Sequence, residues 1–374
     1  MKNIQLTSIA ALLFIGSMSL LTNCKKDSVL PYKYESDVLK LPEQPFTYRD
    51  QALPAHMSHL GTALQSKVTD HGATLGRVLF YDPKLSLNNK TACASCHLQE
   101  NGFADPVRFS VGFDGGLTKR NASSITNPAD MQTFFWDARE DNLKEMVLQP
   151  IKNHVEMGMD NFDALEKKLG QLDYYKPLFQ NAFGDENVTR ERIAESISQF
   201  LTSMVSVNSS FDAAIPGGWG GVQNPGALTG EELQGMNLFF GQAQCGVCHN
   251  PVTTGTFFQE TFADIGLEKN PADKGLGANS PGKDGMFKIP SLRNVALTAP
   301  YMHDGRFTSL DDVVNHYSEN IENSPNLHWS LRGFDGQPLR MNLSETDKKS
   351  LVAFLTALTD TRYTNDPKFS NPFK

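Results

Sequence analysis

The sequence predicts a mainly α protein of two helical halves packed against each other, with long irregular loops. Three observations predict it. Apolar residues recur at helical spacing in segments that open on capping residues. A Gly/Pro-rich stretch divides the 374-residue chain near its middle. The pattern Cys-x-x-Cys-His occurs once on each side of that stretch, as Cys93-Ala94-Ser95-Cys96-His97 and Cys245-Gly246-Val247-Cys248-His249.

Residues 1–24 read as a secretory leader. Lys2 supplies a short positive region, and residues 9–21 are mostly apolar but too few to span a bilayer comfortably. The run ends Leu21-Thr22-Asn23-Cys24, which resembles a lipobox with Asn23 where a small residue is usual. Lipidation of Cys24 is expected, with ordinary signal cleavage nearby as the alternative. Either way the mature chain is exported. Residues 25–50 are polar and Pro-containing and read as a tether. The rest is long enough for two domains, 51–213 and 231–374. The linker between them is 214–230, where Pro216-Gly-Gly-Trp-Gly-Gly221 and Asn224-Pro-Gly226 interrupt any regular element.

In the first half, residues 165–183 and 193–207 suit amphipathic helices. In the second, Thr229-Gly-Glu-Glu232 and Ser344-Glu-Thr-Asp347 are capping boxes or near-variants. Each cysteine motif follows a Leu/Phe-rich stretch, Leu75-Gly-Arg-Val-Leu-Phe80 and Met236-Asn-Leu-Phe-Phe240, so the halves read as a diverged duplication. Long irregular stretches fall at 101–135 and 250–300, lengths that usually carry function or wrap a cofactor. No segment after the leader is long and apolar enough to span a bilayer, and a net charge of −8 gives nucleic-acid binding no support.

Cys-x-x-Cys-His reads as a covalent c-type haem attachment site. Residues i, i+3 and i+4 share one face of a helix. Two thiols then reach the two vinyl carbons of one porphyrin, and the histidine sits under its iron. Four of the five cysteines fall in the two motifs and the fifth is Cys24, so none remains for a structural disulfide. A zinc ribbon built from both pairs is the alternative, but structural zinc pairs are normally far closer in sequence. It would also leave His97 and His249 unexplained. A thioredoxin-type redox pair needs neither duplication nor histidine. Two haem c groups are therefore expected on Cys93, Cys96, Cys245 and Cys248, with His97 and His249 as proximal ligands. The haem alone defines no function, because the second axial position decides between electron transfer and reaction with a ligand.

Seven landmarks follow in order over nearly all of the mature chain. They are Leu75-Gly-Arg-Val-Leu-Phe80, the first haem motif, Arg120-Asn121, Phe135-Trp-Asp-Ala-Arg139, Pro150 with Glu156-Met157, the second haem motif, and Ile289-Pro-Ser-Leu-Arg-Asn294 with Ala299-Pro-Tyr-Met-His-Asp-Gly305. In this the chain resembles the bacterial di-haem cytochrome c peroxidase and MauG-like family. The resemblance implies two cytochrome c-like haem domains packed against each other. It places Glu156, otherwise readable as a solvated surface residue, on the distal side of the first haem. Peroxide cleavage needs a group there that takes a proton from the near oxygen and returns it to the departing one. A carboxylate in an apolar pocket can hold a suitable pKa. Trp136 matches the tryptophan between the haems, placed to relay an electron as well as to pack.

Two departures bear on the first haem. Where the family has an assisting glutamine ten residues before the glutamate, this chain has Met146, which donates no hydrogen bond and is open to oxidation. Where the peroxidase branch carries a loop histidine that ligates the first haem at rest, this chain has Phe113. The expectation is a first haem with no protein-derived sixth ligand and no reductive displacement step. His154, near Glu156, is expected to line the pocket.

For the second haem, the resemblance puts the sixth ligand fourteen residues after His303, at Tyr317. Peroxidases use methionine there and MauG-like members tyrosine; tyrosine favours ferric iron and lowers the potential. His316 and Met302 are the alternatives. Asn121, Thr298 and Pro300 match the family's interdomain calcium ligands, an amide oxygen and backbone carbonyls suited to a hard cation. His303 and Asp304 are expected to fix the second haem's loop and propionates.

The leading expectation is a periplasmic, lipid-anchored peroxidase. Hydrogen peroxide reacts at the first haem, and a small cytochrome c or cupredoxin supplies electrons through the second haem and Trp136. The alternatives are a MauG-like oxidase that modifies a tryptophan or tyrosine of a partner protein, and a non-catalytic di-haem electron carrier. Related enzymes are often homodimers, and no interface can be read from the sequence.

Overall fold

Helix-opening side chains set the first level of order. Thr69 Oγ1 accepts from Gly72 N at 3.0 Å. Thr229 Oγ1 accepts from Glu232 N at 3.2 Å while Glu232 accepts from Thr229 N at 2.7 Å, the reciprocal capping box that the sequence predicts. Ser344 Oγ accepts from Asp347 N at 3.2 Å. The chain, a computed structural model, is described over residues 39–217, 221–250 and 262–373. The leader with Cys24, residues 25–38 and the middle of the expected linker lie outside the described residues.

The first half carries α1 (Leu60–Lys67), α2 (Asp70–Tyr81), α3 (Leu143–Lys152), α4 (Phe162–Gly170), α5 (Tyr175–Phe183), α6 (Arg190–Ser203) and the short α7 (Ser210–Ala214). The second carries α8 (Gly230–Phe240), α9 (Leu310–Glu319) and α10 (Glu345–Ala357), with β1 (Phe262–Ala263) antiparallel to β2 (Phe287–Lys288). The single helix expected over 165–183 is two. Pro177 lacks the N–H an interior position needs, so it sits in the first turn of α5, and Gly170 closes α4. The stretch 101–135 is irregular apart from single turns.

The two halves repeat one packing device. Helix α2 crosses α6, and α8 crosses α10. A Cβ at Gly76 would lie 1.9 Å from Ser196 O, and one at Gly235 would lie 1.8 Å from Ser350 O. Four residues on, Phe80 meets Phe200 at 5.4 Å and Phe239 meets Phe354 at 5.2 Å between ring centroids. Each crossing centres its own core. Leu75, Leu79, Ile197 and Phe200 belong to the first, and Phe239, Val314, Leu351 and Phe354 to the second.

The ends depart from the expected tether and from chain order. Within residues 39–50 the apolar side chains of Leu39, Leu41, Phe46 and Tyr48 pack on the first core while most of the polar ones stay exposed. Tyr48 is fully buried and its hydroxyl donates to Lys368 O at 2.8 Å, while Leu39 pairs with Phe373. Tyr363, Phe369 and Phe373 return from the end of the second half to the first core. The Tyr81 hydroxyl donates to Phe369 O at 2.7 Å and Arg77 Nε to Ser370 O at 2.8 Å. Among the described residues, no helix is long and apolar enough to cross a membrane.

Candidate haem centres

Each cysteine motif forms one tight turn rather than a length of α-helix. Cys96 N and His97 N donate to Cys93 O at 3.2 and 3.0 Å; Cys248 N and His249 N donate to Cys245 O at 3.2 and 2.8 Å. A single turn suffices to gather i, i+3 and i+4. None of these four cysteines is in a disulfide, and burial pushes the Cys93, Cys96 and Cys245 thiols up to about 12, so they are neutral in apolar surroundings. Among the described residues no three His, Cys, Asp or Glu side chains converge on a metal position.

Both proximal histidines are oriented in the same way. His97 Nδ1 pairs with Phe103 O at 2.9 Å and His249 Nδ1 with Pro290 O at 3.0 Å. Burial lowers both pKa values, His249 to about 4. The imidazoles are neutral, and since a carbonyl only accepts, Nδ1 carries the proton. On His249, whose Nδ1 is engaged with the Pro290 carbonyl, the Nε2 lone pair is left for iron. A cleft opens beside the second motif, lined by Cys245, His249, Val314, Tyr317 and Leu355. Cysteines outside any disulfide, a presented Nε2 and an apolar cleft fit a covalently held haem at the second motif.

Tyr317, on α9, is half-buried. Desolvation pushes its phenol well above the ordinary range, and the sulfurs of Cys248 and Cys245 add to the shift, which sets the ring beside the second motif. His316 Nε2 is engaged with Ile265 O at 2.9 Å, and the side chain does not line the cleft. Met302 does line it.

Glu156 lies just beyond α3, in a turn organised by Asn153. Asn153 Oδ1 accepts from Val155 N at 2.8 Å, and Asn153 Nδ2 donates to Glu156 Oε1 at 3.0 Å. Burial raises the pKa of Glu156, and the Arg139 guanidinium opposes the rise. The charge of Glu156 is felt at both Cys93 and Cys96, so the carboxyl lies beside the first motif. Met146 packs against the first core. His154 is exposed, because the turn that buries Glu156 points its neighbour outward, so it does not line the pocket.

Trp136 lines the same cleft as His249 and Tyr317. Its Nε1–H donates to Asn121 O at 2.9 Å, and its ring stands edge-on to His303 at 6.5 Å. His303 stacks on Phe287 at 3.7 Å. Asn121 Nδ2 donates to Val107 O at 3.0 Å, and Asn121, Thr298 and Pro300 all line the cleft. Asp304 fixes its loop through Arg306 at 2.9 Å, and its carbonyl accepts from Arg108 Nε at 2.7 Å.

Sequence reasoning missed two charge networks. Arg120 binds Asp137 at 2.7 Å and Asp273 at 2.7 and 2.8 Å, and Asp137 also holds Arg139 at 2.8 Å. His56, which has no sequence pattern of its own, pairs with buried Asp212 at 2.8 Å. Asp212 in turn grips Arg293 with two bonds of 2.8 Å. Asp273, His56 and Asp212 lie far from their partners in sequence, so only the landmark positions of Arg120, Asp137, Arg139 and Arg293 offered any signal.

The family model described as di-haem cytochrome c peroxidase matches residues 70–218. The methylamine utilization protein MauG of Methylorubrum extorquens is 33% identical over 296 residues, covering 78% of this chain and 79% of that protein. The cytochrome c551 peroxidase of Nitrosomonas europaea is 36% identical over 245 residues, 65% of this chain and 71% of its own length. A solved MauG-like protein associated with microbial copper homeostasis superposes with a TM-score of 0.73 at 30% identity, covering 89% of this chain and all of that one.

Proposed function

The chain belongs to the di-haem cytochrome c peroxidase and MauG family and is an oxidoreductase of the peroxidase class; from that premise we propose that it reduces hydrogen peroxide to water at its N-terminal haem. Haem c is held by Cys93, Cys96 and His97 in the first half and by Cys245, Cys248 and His249 in the second. The iron, when bound, supplies the redox chemistry of O–O cleavage. Glu156 takes the proton from the near peroxide oxygen and delivers it to the departing one. Its half-buried carboxyl beside the first motif, with Asn153 holding one oxygen, is the observation that carries this reading. Phe113 stands where a ligating histidine would, and a phenyl ring leaves the distal position to substrate. Trp136, fixed by Asn121 and lining the cleft of the second motif, is the route for electrons between the haems. Tyr317 would ligate the iron of the second haem, with Met302 as its rival in the same cleft. Asn121, Thr298 and Pro300 hold one calcium ion. A small c-type cytochrome or cupredoxin is the donor. The chain works in the periplasm, anchored through a lipid on Cys24.

Glu156→Gln tests the acid–base step. It is expected to keep both haems and lose peroxide turnover by roughly 10²–10⁴-fold. Turnover at the wild-type rate would remove Glu156 from the mechanism.

A second reading is favoured by Tyr317. A tyrosine ligand lowers the potential of the second haem and suits a MauG-like oxidase acting on a tryptophan or tyrosine of a partner protein. Stopped-flow mixing with peroxide and reduced cytochrome c separates the readings. Oxidation of many equivalents marks the peroxidase. A long-lived oxidised species with little cytochrome turnover marks the oxidase, and no reaction marks a simple electron carrier.

A further inference from the structure

A hairpin at 110–118 lies on the turn that carries Glu156. Val111 pairs with Leu117, Gly112 N donates to Gly116 O at 2.7 Å, and Thr118 N donates to Ser110 O at 3.0 Å. Its base is anchored on both sides. Ser110 Oγ donates to Asp105 Oδ2 at 2.6 Å and Thr118 Oγ1 to Arg120 O at 2.9 Å.

The hairpin grips the Glu156 turn through main chain. Phe113 N donates to Glu156 O at 3.0 Å, and from a separate loop Leu87 N donates to Met157 O at 2.9 Å. Asn88 Nδ2 donates to Phe113 O and ties the two loops together. The fit leaves no slack. A Cβ at Gly112 would lie 1.7 Å from Val155 O, and one at Gly158 would lie 2.5 Å from the Phe113 ring. Glycine at 112 therefore lets the hairpin lie flat on Val155, and the Phe113 ring fills the space over Gly158.

We propose that this hairpin is a fixed clamp that aims Glu156, with Gly112 and Phe113 as positioning residues. The inference rests on the acid–base reading of Glu156. A proton shuttle works only when its oxygen is held within a fraction of an ångström of its target, and a shift of 1 Å can cost about 10²-fold in rate. With backbone carbonyls of two successive residues held by two loops, and Oε1 held by Asn153, both ends of the Glu156 side chain are constrained. Clamping also keeps the carboxyl desolvated. The groups that face it are the Arg139 guanidinium, neutral Asn153 and the sulfurs of Cys93 and Cys96, which carry no charge once alkylated by haem.

The test uses the full-length haem-loaded protein. Peroxide consumption with a small-molecule one-electron donor is measured against pH for Gly112→Ala, Phe113→Ala, Phe113→Leu, Glu156→Gln and the double variant Phe113→Ala/Glu156→Gln. The absorption spectrum of the second haem checks folding. The expected result is a loss of about 10–100-fold in Gly112→Ala and Phe113→Ala. Water then reaches Glu156, its pKa falls, and the acid limb of the pH profile moves to lower pH. Phe113→Leu restores most of the rate, and the double variant is no slower than Glu156→Gln. If Gly112→Ala does not fold, Phe113→Ala decides alone, because truncation introduces no clash. Wild-type rates and pH profile in Phe113→Ala, with Glu156→Gln inactive, would overturn the clamp and leave the acid–base reading standing. A double variant slower than Glu156→Gln would also overturn it, since Phe113 would then act elsewhere. Wild-type turnover in Glu156→Gln would remove the reading beneath it.

Discussion

Glu156 shows how much one residue's environment decides. In water a glutamate titrates near ~4.3. Here burial raises that value against the opposing Arg139 charge. The ionised form is the base, so kcat/KM for peroxide should fall as pH drops through a pKa above the ordinary glutamate range. An acid limb at or below ~4.3 would contradict the burial argument. Removing Arg139's charge should move that limb further up, because an opposing influence is then lost. Tyr317 makes a second test at this scale. Tyr317→Met should raise the potential of the second haem, read by redox titration, since methionine favours ferrous iron and tyrosinate ferric. An unchanged potential would transfer the ligand's role to Met302. Both residues were found through resemblance and spacing. His154 shows the limit of that reasoning, because adjacency in sequence placed it in a pocket from which the turn points it away.

Among the elements, the helix crossings are the most demanding. Gly76 and Gly235 let α2 and α8 approach the backbones of α6 and α10, and a methyl group at either would meet a carbonyl oxygen below 2 Å. Gly76→Ala or Gly235→Ala should therefore destabilise by about 1–3 kcal/mol or more through overpacking, although alanine is the better helix former. Thr229→Ala removes only a cap and should cost about 1 kcal/mol. Denaturant unfolding of the three variants checks the order. Caps were legible because they depend on residues three apart. The break before α5 was legible too, in Pro177, had its missing N–H been weighed against the apolar period. The equivalence of Gly76 and Gly235 was not, because it is a relation between helices far apart in the chain.

For the whole molecule, the decisive contacts join distant segments. His56, Asp212 and Arg293 form one buried cluster. Burial alone would raise the pKa of Asp212, but the hydrogen bond from His56 and the Arg293 guanidinium outweigh it and hold the carboxyl well below the usual range. A depressed carboxyl contributes stability above its unfolded pKa and loses it as pH falls through the folded one. Its contribution is thus intact at neutral pH and fades only in acid below ~4. Asp212→Ala should cost about 3–5 kcal/mol, because Arg293 loses its bidentate partner in a buried site. A thermal melt within the scatter of wild type would show the cluster to be dispensable. Truncation after Asp360 should expose the first core by removing Tyr363, Phe369 and Phe373. It should weaken the half that carries Cys93 more than the half that carries Cys245, which haem-resolved unfolding would report.

The sequence by itself determined the haem chemistry, the helical class and the repeat, because each is written in residues a few positions apart: a five-residue motif, a cap, a period. The family's landmarks added Glu156, Trp136 and Tyr317. Tertiary structure alone decided which side chains desolvate Glu156, which backbones Gly76 and Gly235 admit, and that residues 39–50 and the last dozen residues close the first core. Burial, close approach and charge pairing depend on distances between segments that local sequence does not specify.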